Sequence, residues 1–421
     1  MSIAKHILII SYTFPPSPGI GGRRWAKFAK YLSRKGYTVH VITANSGERM
    51  SSEWTKDVND PNIFLYHLPV KYPAVLSKFP LSFIEKIEYR LWMIFFRFYS
   101  KGTLFDRSVF WKSQLLKKSE ELIGRFAIKN VIVTIPPYKL AHHCVSIKRR
   151  NRFVNLVVDY RDPWSDNKSF HGFKDLAAGR LNYEIGLENE VLKHADKIIT
   201  VSDEMSRKLK DRNITDPDKI ITVNNGFDEE DLPGLQNIQK KKEGFSFVYA
   251  GSLYSNLEYV IEPLLRNLKR LQEQNPDLYS KLKFDFYGNH DVRLGNSIKE
   301  SKIDIISVHG QIPLASVYEK IALSDYCLLF SAPDHSFAFN TKFFEYLACR
   351  KRILLFSNLG KTSEFLENHK LGYIVEPSDF DRSFDAFLNQ LLANSLYFNS
   401  EFDIAPFSAK ALTEEIERIL I

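Results

Sequence analysis

The chain reads as an α/β protein, two Rossmann-like parallel-sheet domains facing across a cleft. Three observations predict it. Short apolar runs alternate with amphipathic helical patterns along most of the chain. Two of those runs, one near the N-terminus and one past the middle, pass through glycine into a helical pattern. A length of 421 residues suits two or three domains. In such sheets ligands bind outside the carboxyl ends of the strands, so two domains imply one substrate on each wall.

The first domain is expected over 1–232. An apolar strand at 7–10 meets a Pro/Gly loop ending Gly19-Ile20-Gly21-Gly22. A helical pattern follows (Trp25, Phe28, Ala29, Leu32), then a strand at 39–42. Further strands are expected at 131–134, ending at Pro136-Pro137, and at 156–159, followed by Tyr160-Arg161-Asp162-Pro163-Trp164. A helix at 181–194, a strand at 197–201, a helix start at Ser202-Asp203-Glu204 and a short strand at 220–223 complete it. The polar run 228–244 is the best linker.

The second domain is expected over 245–400, with strands near 247–250, 284–287, 305–308, 327–330, 353–356 and 373–375. The stretch 401–421, amphipathic from 408, reads as a helix packing back on the first domain.

Composition is that of an ordinary globular protein, 44% hydrophobic and 26% charged. Cys144, Cys327 and Cys349 have no metal-ligand or CxxC spacing, and suit reduced core thiols. No cleavable signal pattern precedes the first strand. The net charge of +8 is concentrated: ten Lys/Arg against three Asp/Glu in segment 70–118 leave +7 there. Eleven aromatics fall between 79 and 111. Ile84, Ile87, Leu91, Ile94, Phe95 and Phe98 recur at helical spacing, with Lys86, Arg90, Arg97 and Lys101 interleaved. The uninterrupted apolar stretch, 91–96, is far below the ~20 residues that span a bilayer. A basic aromatic amphipathic segment suits an anionic membrane surface; the competing reading is a core helix with snorkelling Lys/Arg stems. No nucleic-acid-binding motif is present.

Candidate chemistry clusters at strand ends. Gly21 and Gly22 let backbone N–H groups approach an anion at a helix start, although the loop is not GxGxxG and the next strand ends Thr43-Ala44-Asn45, with no acid for a ribose. Asp159, Arg161 and Asp162 place three charges at one strand end, and His142 with His143 follows another. In Asn340-Thr341-Lys342-Phe343-Phe344-Glu345, Lys342 and Glu345 share a helix face at its first turn. A lysine there can pair with a diphosphate, and a carboxylate one turn on can accept ribose hydroxyls.

Gly251-Ser252, Gly288, Val308-His309-Gly310 and Lys342 with Glu345 resemble the donor half of the GT-B glycosyltransferases of glycosyltransferase family 4. The GxGG loop, Asp159 to Trp164 and Val223-Asn224-Asn225-Gly226 are similar to its acceptor half. The resemblance implies a nucleotide-sugar donor on the second domain, retention at the anomeric carbon and no divalent metal. By it, Lys342 holds the diphosphate, Glu345 the ribose, and Val308 to Gly310 border the base, with Thr341 also in the donor site. Two features depart from the family pattern. Phe337 stands eight residues before Glu345, where a glutamate is usual, and no Arg/Lys pair follows Gly251. The expected activity is transfer to a membrane- or lipid-linked acceptor in bacterial surface polysaccharide synthesis, by a cytoplasmic enzyme peripheral on the inner face of the cell membrane. A nucleotide-sugar epimerase of the same fold and a catalytically inactive sugar- or nucleotide-binding protein are the competing readings.

Overall fold

The computed structural model describes residues 5–17, 19–45, 52–78, 80–167, 171–232, 244–253, 257–331, 338–339, 341–358 and 360–421. The chain divides into two compact units. Unit 1 comprises 1–224 and 409–421, and unit 2 comprises 225–408.

Unit 1 is built on seven strands: β1 Lys5–Ser11, β2 Tyr37–Asn45, β3 Ile63–Pro69, β4 Asn130–Ile135, β5 Asn155–Tyr160, β6 Lys197–Thr200 and β7 Ile220–Thr222. All pair in parallel, in the order β3-β2-β1-β4-β5-β6-β7. The strands read as continuous apolar runs because helices cover both faces of a parallel sheet. β1, β4 and β5 are buried along almost their whole length. Strand β3 is not among the expected strands, although it opens on the apolar run Ile63-Phe64-Leu65-Tyr66; it is an edge strand with a half-exposed face, and it leads directly into the basic segment.

The C-terminal helix, Ala409–Glu417, belongs to unit 1. It buries Leu412 and Ile416 with Trp25, Phe28 and Leu32 of the first helix, Arg23–Arg34. Lys35 Nζ meets Glu417 at 2.8 Å, and Asn130 Nδ2 donates to the Ile421 carbonyl at 2.8 Å. The preceding residues 401–408 are part of unit 2, so the helical return is shorter than the 401–421 stretch expected.

Unit 2 has six parallel strands: β8 Phe245–Ala250, β9 Leu282–Tyr287, β10 Ile306–His309, β11 Tyr326–Phe330, β12 Arg352–Phe356 and β13 Gly372–Val375. Their order is β10-β9-β8-β11-β12-β13. Both sheets therefore reverse direction of growth beside their first strand, between β1 and β4 and between β8 and β11, which is where doubly wound sheets bind ligands. Unit 2 begins at Asn225, so residues 225–232 lie with the second sheet rather than ending the first domain at 232. Residues 233–243 of the expected linker, Phe337 and Asn340 lie outside the described residues.

Candidate active site

In unit 2 the carboxyl end of β8 faces the start of helix Thr341–Ala348. That helix buries Phe343, Phe344, Tyr346 and Leu347, which seats it against β11 and β12 and leaves little freedom at its first turn. Tyr346 Oη accepts the Ala250 N–H at 3.2 Å, tying the helix to the strand end. The Lys342 side chain runs over Gly251. A β-carbon on Gly251 would lie 2.6 Å from Nζ and collide with Cε. With any side chain at 251 the end of the lysine would have to move, and Gly251 also holds a φ of +157° that suits glycine. Burial pulls the Lys342 ammonium below its usual pKa, and the Glu345 carboxylate opposes that shift. Nζ also sits 5.7 Å from the Tyr249 ring centre.

Glu345 is buried one turn behind, and Tyr318 Oη donates to its Oε1 at 3.3 Å. Thr341 opens the helix and is half-buried. Gly251 N–H donates to the Tyr287 carbonyl at 2.7 Å, and the Ser252 carbonyl accepts the Tyr249 hydroxyl at 2.9 Å. Gly288 N–H donates to Gly310 O at 3.3 Å, so the ends of β9 and β10 lie together. Val308 and Gly310 flank His309, whose ring stacks on Tyr287 with centres 4.4 Å apart while its Nε2 meets Asp285 at 2.9 Å. The motif residues of unit 2, dispersed over more than ninety positions, thus converge on one strand-end region. A half-buried cation and a helix N-terminus there can stabilise a diphosphate.

In unit 1 the strand ends enclose a cavity of about 600 Å³. Its lining includes Tyr12, Gly21, Pro136, Tyr138, Arg161 and Asp162 together with Tyr72, Tyr89, Phe105, Asp106 and Arg107. The glycine loop and two strand ends are stapled by Arg161. Its guanidinium donates to the carbonyls of Gly21, Ile135 and Pro136, the last at 2.7 Å. A β-carbon on Gly21 would come within 2.7 Å of that guanidinium. Gly22 is buried against the backbone of Thr13 and Phe14. Asp162 is half-buried on the cavity wall; burial raises the Tyr138 pKa, and the negative charge of Asp162 adds to the shift.

Two expected cavity residues are elsewhere. Asp159 is wholly buried: its Oδ2 accepts from Trp25 Nε1 and Thr134 Oγ1, both at 2.7 Å, and its Oδ1 pairs with Arg24 at 3.4 Å. It anchors the first helix to the sheet. A strand alternates its side chains, and this one points under the helix rather than outward. His142 faces helix Ala178–His194, where its Nε2 meets Glu190 at 3.1 Å. Burial lowers its pKa, against the Glu190 carboxylate. His143 is buried, with Nε2 3.1 Å from the Ser108 carbonyl. Conversely, Tyr12, Tyr72, Tyr89, Tyr138 and Arg107 line the cavity without having been singled out. Tyr138 alone carried a local signal, following Pro136-Pro137 at a strand end.

The basic segment forms helix Phe83–Tyr99. Ser82 and Glu85 make a capping box at its start. At its other end Arg180 donates to the carbonyls of Arg97, Ser100 and Gly102. Phe96 is the one buried residue, and Tyr89, Trp92 and Met93 pack with it against Tyr72, Val75 and Leu76. Phe83, Ile84, Ile87, Leu91, Ile94 and Phe98 are exposed, Phe98 to 84%. The core-helix alternative therefore accounts for one face only. Trp92 belongs to that inner face, not to the outer stripe. No helix among the described residues is long and apolar enough to cross a membrane.

Residues 244–394 match the family model Glycosyl transferases group 1. A comparison with curated proteins finds no match. Among solved structures, WaaG, a glycosyltransferase involved in lipopolysaccharide biosynthesis, is 13% identical with a TM-score of 0.58, covering 98% of this chain and 99% of that one. Sucrose-phosphate synthase from Thermosynechococcus elongatus is 14% identical with a TM-score of 0.60, over 99% and 95%. A putative UDP-N-acetylglucosamine 2-epimerase from Listeria monocytogenes is 11% identical with a TM-score of 0.58, over 98% and 95%. At these identities the likeness is one of fold.

Proposed function

We propose that this glycosyltransferase, a GT-B chain whose second unit carries a group 1 domain, moves a sugar with retention from a nucleotide-sugar to a lipid-linked acceptor in bacterial surface polysaccharide synthesis. The observation that carries the reading is the placement of Lys342 over Gly251 at the strand ends of unit 2. In this reading Lys342 and the N–H groups from Thr341 onward neutralise the leaving diphosphate without a divalent cation, Glu345 accepts from the ribose, and Val308 to Gly310 border the base. Catalysis is then mostly positioning plus stabilisation of departing charge. In unit 1, Asp162 faces the acceptor while Arg161 holds the loops that shape its cavity.

Helix Phe83–Tyr99 supports the proposed acceptor class. Its exposed stripe is flanked by Lys86, Arg90, Arg97 and Lys101, all exposed, as an anionic interface requires. Tyr89 on the same helix lines the unit 1 cavity, so the proposed membrane face and acceptor site share one element. In this reading the enzyme works peripherally on the inner face of the cell membrane.

A thermal-shift panel of nucleotides and nucleotide-sugars tests the donor half. A ligand at about 100 times its dissociation constant adds roughly 2.7 kcal/mol of stability. The matching nucleotide-sugar, incubated with enzyme in EDTA, should slowly yield free sugar and nucleoside diphosphate. Conversion to an epimer, or no binding of any nucleotide, overturns the reading.

A further inference from the structure

The unit 1 cavity carries one cation that the fold itself does not use. Of its charged lining residues, Asp106 is spent internally: Oδ1 accepts from Ser108 N at 2.9 Å, and Oδ2 from Lys139 N at 2.8 Å. Arg161 is spent on three carbonyls. Arg107 is exposed and makes no hydrogen bond or ion pair among the described residues. Its charge nonetheless reaches two wall tyrosines. Burial pushes Tyr12 up to about 12 and raises Tyr72, and the positive charge of Arg107, which lines the same cavity, opposes both shifts.

The wall is rigid on that side. Tyr72 Oη donates to Leu104 O at 3.3 Å, and Tyr12 packs edge-on against Trp111 with ring centres 5.1 Å apart. Thr103 N–H is held at 2.7 Å by the buried Glu184, which also accepts Trp164 Nε1 at 2.9 Å. The backbone on either side of Arg107 is therefore tied down, at Thr103 and Leu104 before it and through Asp106 beside it, while its side chain is exposed at the cavity.

We propose that this cavity binds a sugar phosphate, with the phosphate on Arg107 and the sugar extending toward Tyr138 and Asp162. Tyrosine faces suit the apolar faces of a sugar ring, Asp162 accepts hydroxyls, and a guanidinium takes a phosphate through paired N–H groups. About 600 Å³ lies within the size range of small-molecule sites. Because Tyr89 belongs to helix Phe83–Tyr99, a chain esterified to the phosphate can leave the cavity along the exposed stripe of Ile87 and Leu91. The assignment rests on the proposed function for calling this ligand an acceptor, and names the group that distinguishes it.

Titration calorimetry with nucleotide-free full-length protein tests it, using three probes below their aggregation limits: decyl phosphoglucose, in which a phosphodiester joins sugar and chain, glucose 1-phosphate, and decyl glucoside. A phosphate-bearing probe should bind roughly tenfold or more tightly than decyl glucoside, and Arg107→Gln, with an unchanged melting temperature, should abolish that preference. Tightest binding by decyl phosphoglucose supports the site with a lipid-linked source; equal binding by glucose 1-phosphate supports it with a soluble source. Equal binding by decyl glucoside, or a preference that survives Arg107→Gln, overturns the proposal. Because no nucleotide is present, either result is separate from failure of the donor site, which shows as silence in the nucleotide panel.

Discussion

Lys342 and Gly251, 91 positions apart, occupy one another's space: the lysine stem fills the volume that any side chain on residue 251 would take. The donor phosphate site proposed here is the product of that fit. Gly251→Ala should therefore behave like Lys342→Ala. Each variant is expected to weaken nucleoside diphosphate binding by roughly tenfold or more, the worth of a hydrogen bond to a charged group. The double variant should be no worse than the worse single one, because the two changes remove one interaction. Additive losses in titration calorimetry would separate them.

The lysine also sets a pH dependence. Its folded pKa is below the usual 10.5, chiefly through burial. A diphosphate favours the ammonium, so binding takes up protons, and affinity should fall as pH rises through the lowered pKa. The stability sign is opposite. Between the folded and unfolded pKa values the unfolded chain holds more protons, so this group's contribution to stability rises with pH up to about 10.5. Nucleotide affinity measured against pH should lose its alkaline limb in Lys342→Gln.

Adjacent acids should give opposite phenotypes. Asp159→Asn leaves buried Arg24 without its partner charge, at a cost of about 3 kcal/mol or more, or a fall in melting temperature of roughly 6–12 °C. Asp162→Asn should melt as the wild type does and still bind nucleotide, yet transfer sugar slowly. A large melting shift in Asp162→Asn would make it structural too.

On helix Phe83–Tyr99, Leu91→Ser and Ile94→Ser should each weaken binding to anionic vesicles at any salt, since a fully buried side chain of this size is worth about 1.5–3 kcal/mol. Lys86→Glu with Arg90→Glu should weaken it mainly at low salt, by about 1 kcal/mol per charge. Trp92→Ser should instead lower the melting temperature, because that ring packs inward on Phe96. Equal partitioning of all variants would remove the membrane assignment.

Acid should destabilise unit 1. His40 is stacked among His6, Phe64, Tyr66 and Phe126, and burial pushes its pKa down to about 4. Below 6.5 the unfolded chain takes up a proton that the folded chain refuses, so stability falls by up to about 1.4 kcal/mol per pH unit until pH approaches 4. Denaturant titrations across that window should show the slope, and His40→Gln should reduce it.

The elements and the convergence of motifs at strand ends were legible because they are local. An apolar run buried on both faces, a glycine at its carboxyl end and a helix after it each depend on a few neighbouring residues, and strand order then places their ends together. Lys342 and Glu345 stood out for the same reason, as charges at the first turn of an otherwise apolar helix. Strand β3 was missed although it carries the apolar run Ile63-Phe64-Leu65-Tyr66; that short run lies just before the basic segment and ends in His67, Leu68 and Pro69.

Direction was decided elsewhere. Asp159 and Asp162 sit three residues apart in one charged cluster, and only the packing of the first helix on β5 makes one an anchor and leaves the other on the cavity wall. Leu91 and Trp92 are neighbours on one helix, about 100° apart around its axis. Which of them meets the protein and which meets solvent depends on Tyr72, Val75 and Leu76, outside the helix altogether. His142 was drawn to Glu190, 48 positions away, for a reason of the same kind. A sequence states which groups lie on a given strand or helix; the face each one presents is chosen by whatever packs against that element, and those partners come from distant parts of the chain.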